Sequence, residues 1–332
     1  MIAVDAHGAD AGVDVVFAGA ELAGVPVTVF GPPRPGASVR VVEAPDAIGN
    51  EEEPALAVRS RADASIVVAA RAVGAGEADA LVSAGPTGAT LAAAVVYVKR
   101  IRGVHRPAVA AVLPIPGGKP TLLLDAGANV EVRPEHLVQF AYMGAQFMEA
   151  VNGVQRPRVG LLSNGEEPKK GTEDVVAAHA RLAEDTSGLN FVGNVEGSDV
   201  TKGVADVVVT DGFTGNVALK LMEGTASTVT GAIRQAVKSG AVAALGGLLI
   251  RGQVAKLRAQ IDPNATGGAI LLGVRKPVVI AHGKSSAQGI ANAVRLAQRA
   301  VDEQIVERTA ASLEAAGVLR SVPAASVAQS DD

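Results

Sequence analysis

Short apolar runs that end in glycine, aspartate or serine constrain the fold of this 332-residue chain most strongly. The runs are IAVDAHG from residue 2, VTVFG from 27, ALVSAG from 80, TLLLDAG from 121, RVGLLSNG from 158 and ADVVVTDG from 205. A short continuous apolar run closed by turn residues is typical of a strand buried on both faces. Ala-rich segments with helical spacing follow Asp63, Pro134 and Gly171. This alternation predicts a mostly parallel sheet flanked by helices, with functional loops at the carboxyl ends of the strands.

Composition excludes several classes of protein. With 48% hydrophobic residues, the chain can bury a large core, but only 2% are aromatic, so small aliphatic side chains must fill it. Cysteine is absent, which rules out disulfides, thiolate metal sites and a cysteine nucleophile. The net charge of -4 and the scarcity of aromatic rings argue against nucleic acid as a partner. The start, MIAVDAHGAD, lacks a signal-peptide pattern, and no window matches a membrane span, so we expect a cytoplasmic protein.

One segment differs in charge from the rest of the chain. Between Gly224 and Ile261 there is no acidic residue. Five cations lie in the same stretch, namely Arg234, Lys238, Arg251, Lys256 and Arg258. We interpret the segment as two basic amphipathic helices that turn at Gly246 and Gly247, suited to an anionic lipid surface or an acidic partner. An oligomer interface with a solvated basic rim is the alternative. We therefore expect one catalytic domain over residues 1–320, a hairpin inserted at about 225–262, and a flexible tail at 321–332.

Two glycine-containing loops follow predicted strands in the first half of the chain. In SAGPTGATLA, backbone N–H groups and the Ser83 and Thr87 hydroxyls can hold phosphate at a helix N-terminus. Close packing of strand on helix would explain the same glycines. In LDAGANV, Asp125 can orient a partner group and the Asn129 amide can bind an oxyanion, whereas a turn held by Asx side chains is the alternative.

Two further loops combine cationic and amide side chains. SNGEEPKKGT holds Asn164 and Lys170 around two glycines, and a lysine there can neutralise phosphate; a solvated turn is the alternative. TDGFTGNVALK places Asp211 at a strand end, with Thr214 and Asn216 near the start of the following helix, where they can donate to an anion. Phe213 occupies this glycine turn, although the chain has only six phenylalanines.

Histidines and motif searches narrow the chemistry further. His282, in VIAHGKSS, ends an apolar run and can act as an acid, a base or a hydrogen-bond donor. No HExxH or clustered ligand spacing is present, so we expect no metal site. The nucleophile elbow GxSxG is also absent.

Several blocks, in order, carry a resemblance to a known family. They are DAHGAD, SAGPTGA, HRPAVAAVLP, LLLDAGANVEVRPEHLVQFAYMG, NGEEPKKG, FVGNVEG, ADVVVTDGFTGNVALKLMEG and AHGKSSA. Together they resemble the phosphate acyltransferase family of the PlsX type, over residues 2 to about 300. The two long blocks, around 122–144 and 205–224, are the specific ones.

The resemblance carries over to individual positions. The matching residues are Asp5, Gly8 and Asp10 in the first motif, Ser83, Thr87 and Gly88 in the second, Asp125 and Asn129 in the third, Lys170 before its glycine, and Asp211, Phe213, Asn216 and Lys220 in the last. The sequence departs from the family pattern at His7 and Ala9, at Ser163, and at Pro86, where a backbone N–H is lost.

The resemblance also implies an activity. Members of the family move a long acyl chain from acyl carrier protein to inorganic phosphate, as homodimers with a fold similar to isocitrate dehydrogenases and phosphotransacetylases. The acyl phosphate then passes to a membrane glycerol-3-phosphate acyltransferase, so we expect peripheral contact with an anionic membrane surface through 225–262. Three alternatives remain: a phosphotransacetylase-type enzyme that uses coenzyme A thioesters, a metal- and NAD-dependent dehydrogenase, and a non-enzymatic membrane-surface scaffold.

A mechanism follows from the reactivity of a thioester. The thioester is already activated, so the enzyme must only hold phosphate against the carbonyl and stabilise the oxyanion, without a cofactor. Our hypothesis is that Lys170, Asn216 and loop N–H groups bind phosphate, while Asp211 or His282 orients it or handles its proton.

Overall fold

One continuous sheet organises the molecule. The computed structural model describes residues 1–115, 117–260 and 263–320, with side chains except at 256–264. In this described part the strands are β1 Ile2–Asp5, β2 Val27–Gly31, β3 Arg40–Glu43, β4 Ala80–Ser83, β5 Ala108–Leu113, β6 Thr121–Leu124, β7 Val159–Ser163, β8 Phe191–Glu196, β9 Val207–Val209, β10 Ala269–Leu272 and β11 Val278–Ile280. Their order across the sheet is β3-β2-β1-β4-β11-β10-β5-β6-β9-β7-β8. All six predicted strands are present.

The direction of the strands changes at the centre of the sheet. Seven pairings in the described part are parallel. Three are antiparallel, and all of these involve β5 or β10. As a result β1 to β4 and β11 run one way, whereas β6, β9, β7 and β8 run the other. The prediction of a mostly parallel sheet is confirmed.

Helices cover both faces of this sheet. They are α1 Val13–Leu22, α2 Pro54–Ser60, α3 Ser65–Ala75, α4 Thr87–Ala93, α5 Pro134–Ala150, α6 Glu173–Ala183, α7 Gly212–Lys238, α8 Ala241–Gln260, α9 Pro263–Thr266, α10 Ala287–Asp302 and α11 Ile305–Ala315. A single π-helical turn, Ala94–Val98, continues α4. The helices predicted after Asp63, Pro134 and Gly171 are confirmed as α3, α5 and α6. No helix of the described residues has the length and apolar character needed to cross a bilayer.

Small residues let the helices lie close to the sheet. Alternate strand residues face opposite sides, so Ile2 and Val4 join one cluster with α1, α5 and α10, and Ala3 joins a second with α2, α3 and α4. A Cβ atom at Gly144 of α5 would lie 2.6 Å from Val207 Cγ1 of β9. This close approach lets small aliphatic side chains fill a core that has few aromatic rings.

The basic segment forms a helical pair, but its turn is not where the sequence predicted it. α7 runs unbroken from the end of β9, and the chain turns at Ser239 and Gly240 before α8 begins. The predicted Gly246–Gly247 turn is wrong, because both glycines lie inside α8. A Cβ at Gly247 would come within 2.2 Å of Val237 Cγ1, so this glycine allows α8 to approach α7.

The outer half of α7 and the described part of α8 are almost entirely exposed. Val242 and Leu249 are 87% and 75% exposed. The cations Arg234, Lys238 and Arg251 are exposed on the same pair of helices, whereas the side chains of Lys256 and Arg258 lie outside the described residues. The tail predicted at 321–332 also lies outside them. We name this helical pair, residues 224–260, the basic hairpin.

Candidate active site

The reversal of strand direction divides the predicted site residues into two groups. The loops after β1, β4 and β11 lie at one end of the strands and form the first group. The loops after β6, β9 and β7 lie at the other end and form the second group. From the sequence we expected all these loops at the same end of the sheet, whereas the structure places them at two ends. The direction of a strand is not encoded in a local apolar run.

A buried carboxylate organises the first group. Asp5 accepts hydrogen bonds from the hydroxyls of Ser83, at 2.7 Å, and Ser65, and from the His7 N–H at 3.3 Å. Burial raises the pKa of the Asp5 carboxyl, and the bonds from Ser65 and Ser83 oppose that shift. Ser83 Oγ in turn accepts from Gly85 N, 3.0 Å, and from the Thr90 hydroxyl, 3.3 Å. Buried hydrogen bonds of Asp5 and Ser83 therefore connect the ends of β1 and β4 and fix the loops that follow them.

Three loops of the first group touch one another. Gly8 has φ of 86°, and a Cβ there would lie 2.6 Å from Gly85 Cα, so only glycine fits. Asp10 N donates to Gly283 O at 2.9 Å, which links the β1 and β11 loops. His282 is exposed, and its Nδ1 accepts from Lys284 N at 3.1 Å.

The next helix begins at the edge of these loops. Thr87 is its first residue and is exposed, after Pro86 in the N-cap position. Gly88 lies against α2, because a Cβ there would be 2.7 Å from Pro54 Cγ. Close packing therefore accounts for Gly88, and the Thr87 hydroxyl remains open to solvent.

Asp125 is the organising carboxylate of the second group. It is fully buried; Oδ1 accepts from the N–H groups of Val109, Gly127 and Ala128, and Oδ2 accepts from Asn129 N and Nδ2 at 2.8 and 2.7 Å. Burial raises the pKa of the Asp125 carboxyl, and the bonds from Ala128 and Asn129 oppose this shift.

Asn129 is bound just as fully. Its Nδ2 also donates to Pro107 O at 2.8 Å, and the residue is buried. The geometry thus favours the Asx-turn alternative over the prediction that Asp125 and Asn129 contact phosphate, because these side chains are used in shaping the loop.

The start of α7 packs against this loop without space for side chains. Gly212 N donates to Asn129 O at 2.6 Å, and a Cβ at Gly215 would lie 1.9 Å from Asp125 O. Asp211 caps the helix: Oδ1 accepts from Thr214 N and Oδ2 from the Thr214 hydroxyl, both at 2.7 Å. Asp211 and Thr214 therefore satisfy each other's hydrogen-bonding groups. The predicted role of Asp211, to orient phosphate or handle its proton, would compete with its role as helix cap.

The first turns of α7 carry Phe213, Asn216 and Lys220 at spacings of three and four residues, which places them on one face of the helix. Asn216 is half-buried over the Asp125 loop, since a Cβ at Gly127 would lie 3.0 Å from Asn216 Nδ2. Phe213 is 62% exposed in its glycine turn. Lys220 is exposed one helical turn further on. An amide, an aromatic ring and an ammonium thus border one surface at the N-terminal end of a long helix.

The β7 loop supplies a second cation to this group. Lys170 is exposed, its N–H donates to Glu167 O at 3.0 Å, and its side chain pairs with no carboxylate of the described residues. Asn194 Nδ2 donates to the same Glu167 carbonyl at 2.8 Å and fixes the loop. Asn164 is exposed at its start. The buried Ser163 hydroxyl finds no partner among the described residues.

The structure therefore keeps part of the predicted constellation together. Lys170, Asn216 and Asp211 belong to loops at neighbouring strand ends, because β7 and β9 are adjacent. His282 belongs to the first group, at the opposite end of the strands. The two residues proposed to handle the phosphate proton, Asp211 and His282, are thus not in one group.

Sequence reasoning missed several residues that shape these loops. Ser65 and Thr90 lie within helices α3 and α4, and nothing in their local sequence signals a bond to Asp5 or Ser83. Pro107 and Val109 contribute only backbone atoms to the Asp125 loop. The block HRPAVAAVLP, which holds both, is the sequence feature that could have indicated them.

Comparisons with known proteins agree with this architecture. Phosphotransacetylases give structural matches: EutD phosphotransacetylase from Staphylococcus aureus has TM-score 0.56, 18% identity, and coverage of 90% of this chain and 94% of that one. A branched-chain phosphotransacylase from Enterococcus faecalis has TM-score 0.57, 18% identity and coverage of 91% and 99%. At this identity these structures show the fold alone.

Sequence similarity is closer. A family model described as fatty acid synthesis protein matches residues 1–308. The phosphate acyltransferase of Anoxybacillus flavithermus is 43% identical, over 94% of this chain and 98% of the relative. That of Elusimicrobium minutum is 49% identical, over 80% and 77%. The chain therefore belongs to the phosphate acyltransferase family of the PlsX type and is an acyltransferase.

Proposed function

We propose that the chain transfers a fatty acyl group from acyl carrier protein to inorganic phosphate. The product is an acyl phosphate, which a membrane glycerol-3-phosphate acyltransferase consumes on the way to phosphatidic acid. Support comes from family membership, and from the second group of loops, where a cation, an amide and a helix N-terminus lie at adjacent strand ends.

The observation that carries the proposal is the exposed, unpaired ammonium of Lys170 in the loop after β7, because β7 is adjacent to β9, the strand that leads into α7. Lys170 lies between Glu167 and Glu173 in the sequence and is exposed, and its ammonium forms no ion pair in the described part of the chain, so it is available to an anion. A cation kept free beside helix N–H groups attracts a small anion. Inorganic phosphate is an acyl acceptor with that charge.

The chemistry needs only positioning and charge. A phosphate oxygen attacks the thioester carbonyl, the C–S bond of the tetrahedral intermediate breaks, and the thiolate leaves and takes up a proton. Lys170 and Asn216 hold the phosphate, and N–H groups of the glycine loops stabilise the oxyanion. Asp125 and Asn129 keep the loop against α7.

The first experiment is a direct assay. We expect purified protein, acyl carrier protein charged with a long acyl chain, and ¹⁸O-labelled phosphate to yield labelled acyl phosphate together with free carrier thiol, detected by mass spectrometry. Product from acyl-coenzyme A alone would favour the phosphotransacetylase-type alternative. With neither donor active, the proposal fails.

The basic hairpin is the proposed contact surface for assembly and for membrane. Several large apolar side chains of the hairpin are exposed, among them Val229 and Ile233, which lie four residues apart on α7. We propose that these apolar side chains contact a second copy of the chain in a homodimer. We also propose that the cations contact an anionic membrane surface, to which the protein binds peripherally.

Neutralising the hairpin should weaken membrane binding. Replacing Arg234, Lys238 and Arg251 with glutamine removes three cations, each worth about 1 kcal/mol near an anionic bilayer, so vesicle affinity should fall on the order of 100-fold. Co-sedimentation with phosphatidylserine vesicles measures this, and zwitterionic vesicles are the control. If sedimentation with phosphatidylserine vesicles were unchanged, the cations of the hairpin would not contribute to membrane binding.

A further inference from the structure

Four exposed arginines surround a pair of histidines next to the second group of loops. His105 and His136 lie with ring centroids 5.6 Å apart. We name Arg100, Arg106, Arg133 and Arg320 the arginine patch; all four side chains are exposed.

Hydrogen bonds hold the patch around the two rings. The Arg100 guanidinium donates to His105 O, and Arg133 N donates to His136 Nδ1 at 3.2 Å. Arg320 N donates to Gly103 O at 2.8 Å. Burial is the main cause of the lowered pKa of His105, and Arg320, Arg100 and Arg133 lower that pKa further. Burial likewise lowers the pKa of His136, with contributions from His105, Arg106 and Arg133. Each arginine of the patch therefore acts on at least one of the two rings, and Arg133 acts on both.

The charge of the patch is largely uncompensated. No arginine of the patch pairs with a carboxylate among the residues that the structure describes. The neighbouring acids are Glu131 and Glu135, and Glu135 faces Arg181 at 3.8 Å. Four cations outnumber two carboxylates here, although the whole chain carries a net charge of -4.

The patch is connected directly to the candidate site. Arg106 precedes Pro107, whose carbonyl accepts from Asn129 Nδ2, and Val109 N donates to Asp125. Arg133 follows Asn129 by four residues and occupies the N-cap position of α5. Both ends of the patch are thus fixed to the loop that supports Asn216.

We propose that the arginine patch is the docking surface for the acidic acyl carrier protein. The inference rests on the proposed function. The carrier presents its acyl thioester on a flexible arm, so the carrier's protein surface must dock beside the catalytic loops rather than in them. The arginine patch lies beside these loops. Exposed unpaired arginines attract an acidic partner and raise the rate of encounter.

The test compares two donors. Wild type, Arg106→Glu/Arg133→Glu, and the control Arg299→Glu on the outer face of α10 are assayed with acyl-carrier protein and with acyl-pantetheine, a small donor that lacks the carrier surface. We expect the double variant to raise KM for acyl-carrier protein about tenfold or more, with kcat nearly unchanged and acyl-pantetheine unaffected. Raising salt should increase KM of wild type more than that of the variant.

Further arms separate carrier docking from damage to the catalytic loops and from membrane contact. Carrier variants with surface carboxylates changed to lysine should recover affinity for the double variant. The inference is overturned if wild type and the double variant have equal KM for acyl-carrier protein. It is also overturned if the variant loses as much activity with acyl-pantetheine as with acyl-carrier protein, or if it loses vesicle binding while its affinity for the carrier is unchanged. Arg106→Gln/Arg133→Gln serves if the glutamate variant does not fold. A wild type inactive with acyl-carrier protein but active with acyl-pantetheine would reject the proposed donor itself.

Discussion

Replacing Gly215 with alanine should lower the free energy of unfolding by about 1–3 kcal/mol and remove most acyl transfer. The new Cβ would lie 1.9 Å from Asp125 O and 3.0 Å from Thr210 Cγ2. The closer contact is with backbone, so α7 must shift away from the Asp125 loop rather than a side chain turn aside. That shift moves Asn216 away from its place over Gly127. Urea unfolding and kcat/KM for phosphate measure the two effects.

A glycine of the same helix provides the control. No atom lies within 4 Å of a Cβ built at Gly224, which is exposed in α7. Gly224→Ala should therefore add about 0.5–1 kcal/mol of stability through helix propensity alone, with activity retained. If Gly215→Ala were as stable and active as wild type, contact between α7 and the loop would not be what positions Asn216.

The strands could be predicted from sequence because each is a buried apolar run with its own turn residues. Their direction could not, since the reversal depends on β10 pairing with β5, which lies more than 150 residues earlier in the chain. A local pattern contains no such pairing. The Gly246–Gly247 turn was wrong for a related reason: glycine signals either a bend or a close contact, and only the position of Val237 decides between them.

The loops of the site were also predicted, but not the use of their side chains. Asp125 and Asp211 look alike in sequence, each closing an apolar run before a glycine. In the structure Asp125 is buried under five donors, whereas Asp211 caps an exposed helix start. The burial of each aspartate and the number of its hydrogen-bond donors depend on neighbouring strands. The sequence therefore predicted the loops correctly but did not determine the role of each side chain.

Replacing Lys170 with alanine should reduce kcat/KM for phosphate about 100-fold or more. Lys170 is the cation of the second group that we place on phosphate, and its removal takes away a charge that attracts phosphate and stabilises the developing oxyanion. Lys170 is exposed with no carboxylate partner in the described part of the chain, so stability should change little. Steady-state kinetics with varied phosphate, together with urea unfolding, measure both quantities.

The adjacent Lys169 provides a matched control, since Lys169→Ala removes the same charge one residue away and should cost less than about threefold. Lys170→Arg should recover part of the lost activity, because charge is kept while the point-like ammonium is not. Equal small effects at 169 and 170 would mean that the loop acts only through general attraction of anions. Full activity in Lys170→Ala would remove this lysine from phosphate binding and shift the search to the first group, where His282 and Lys284 are exposed beside Asp10.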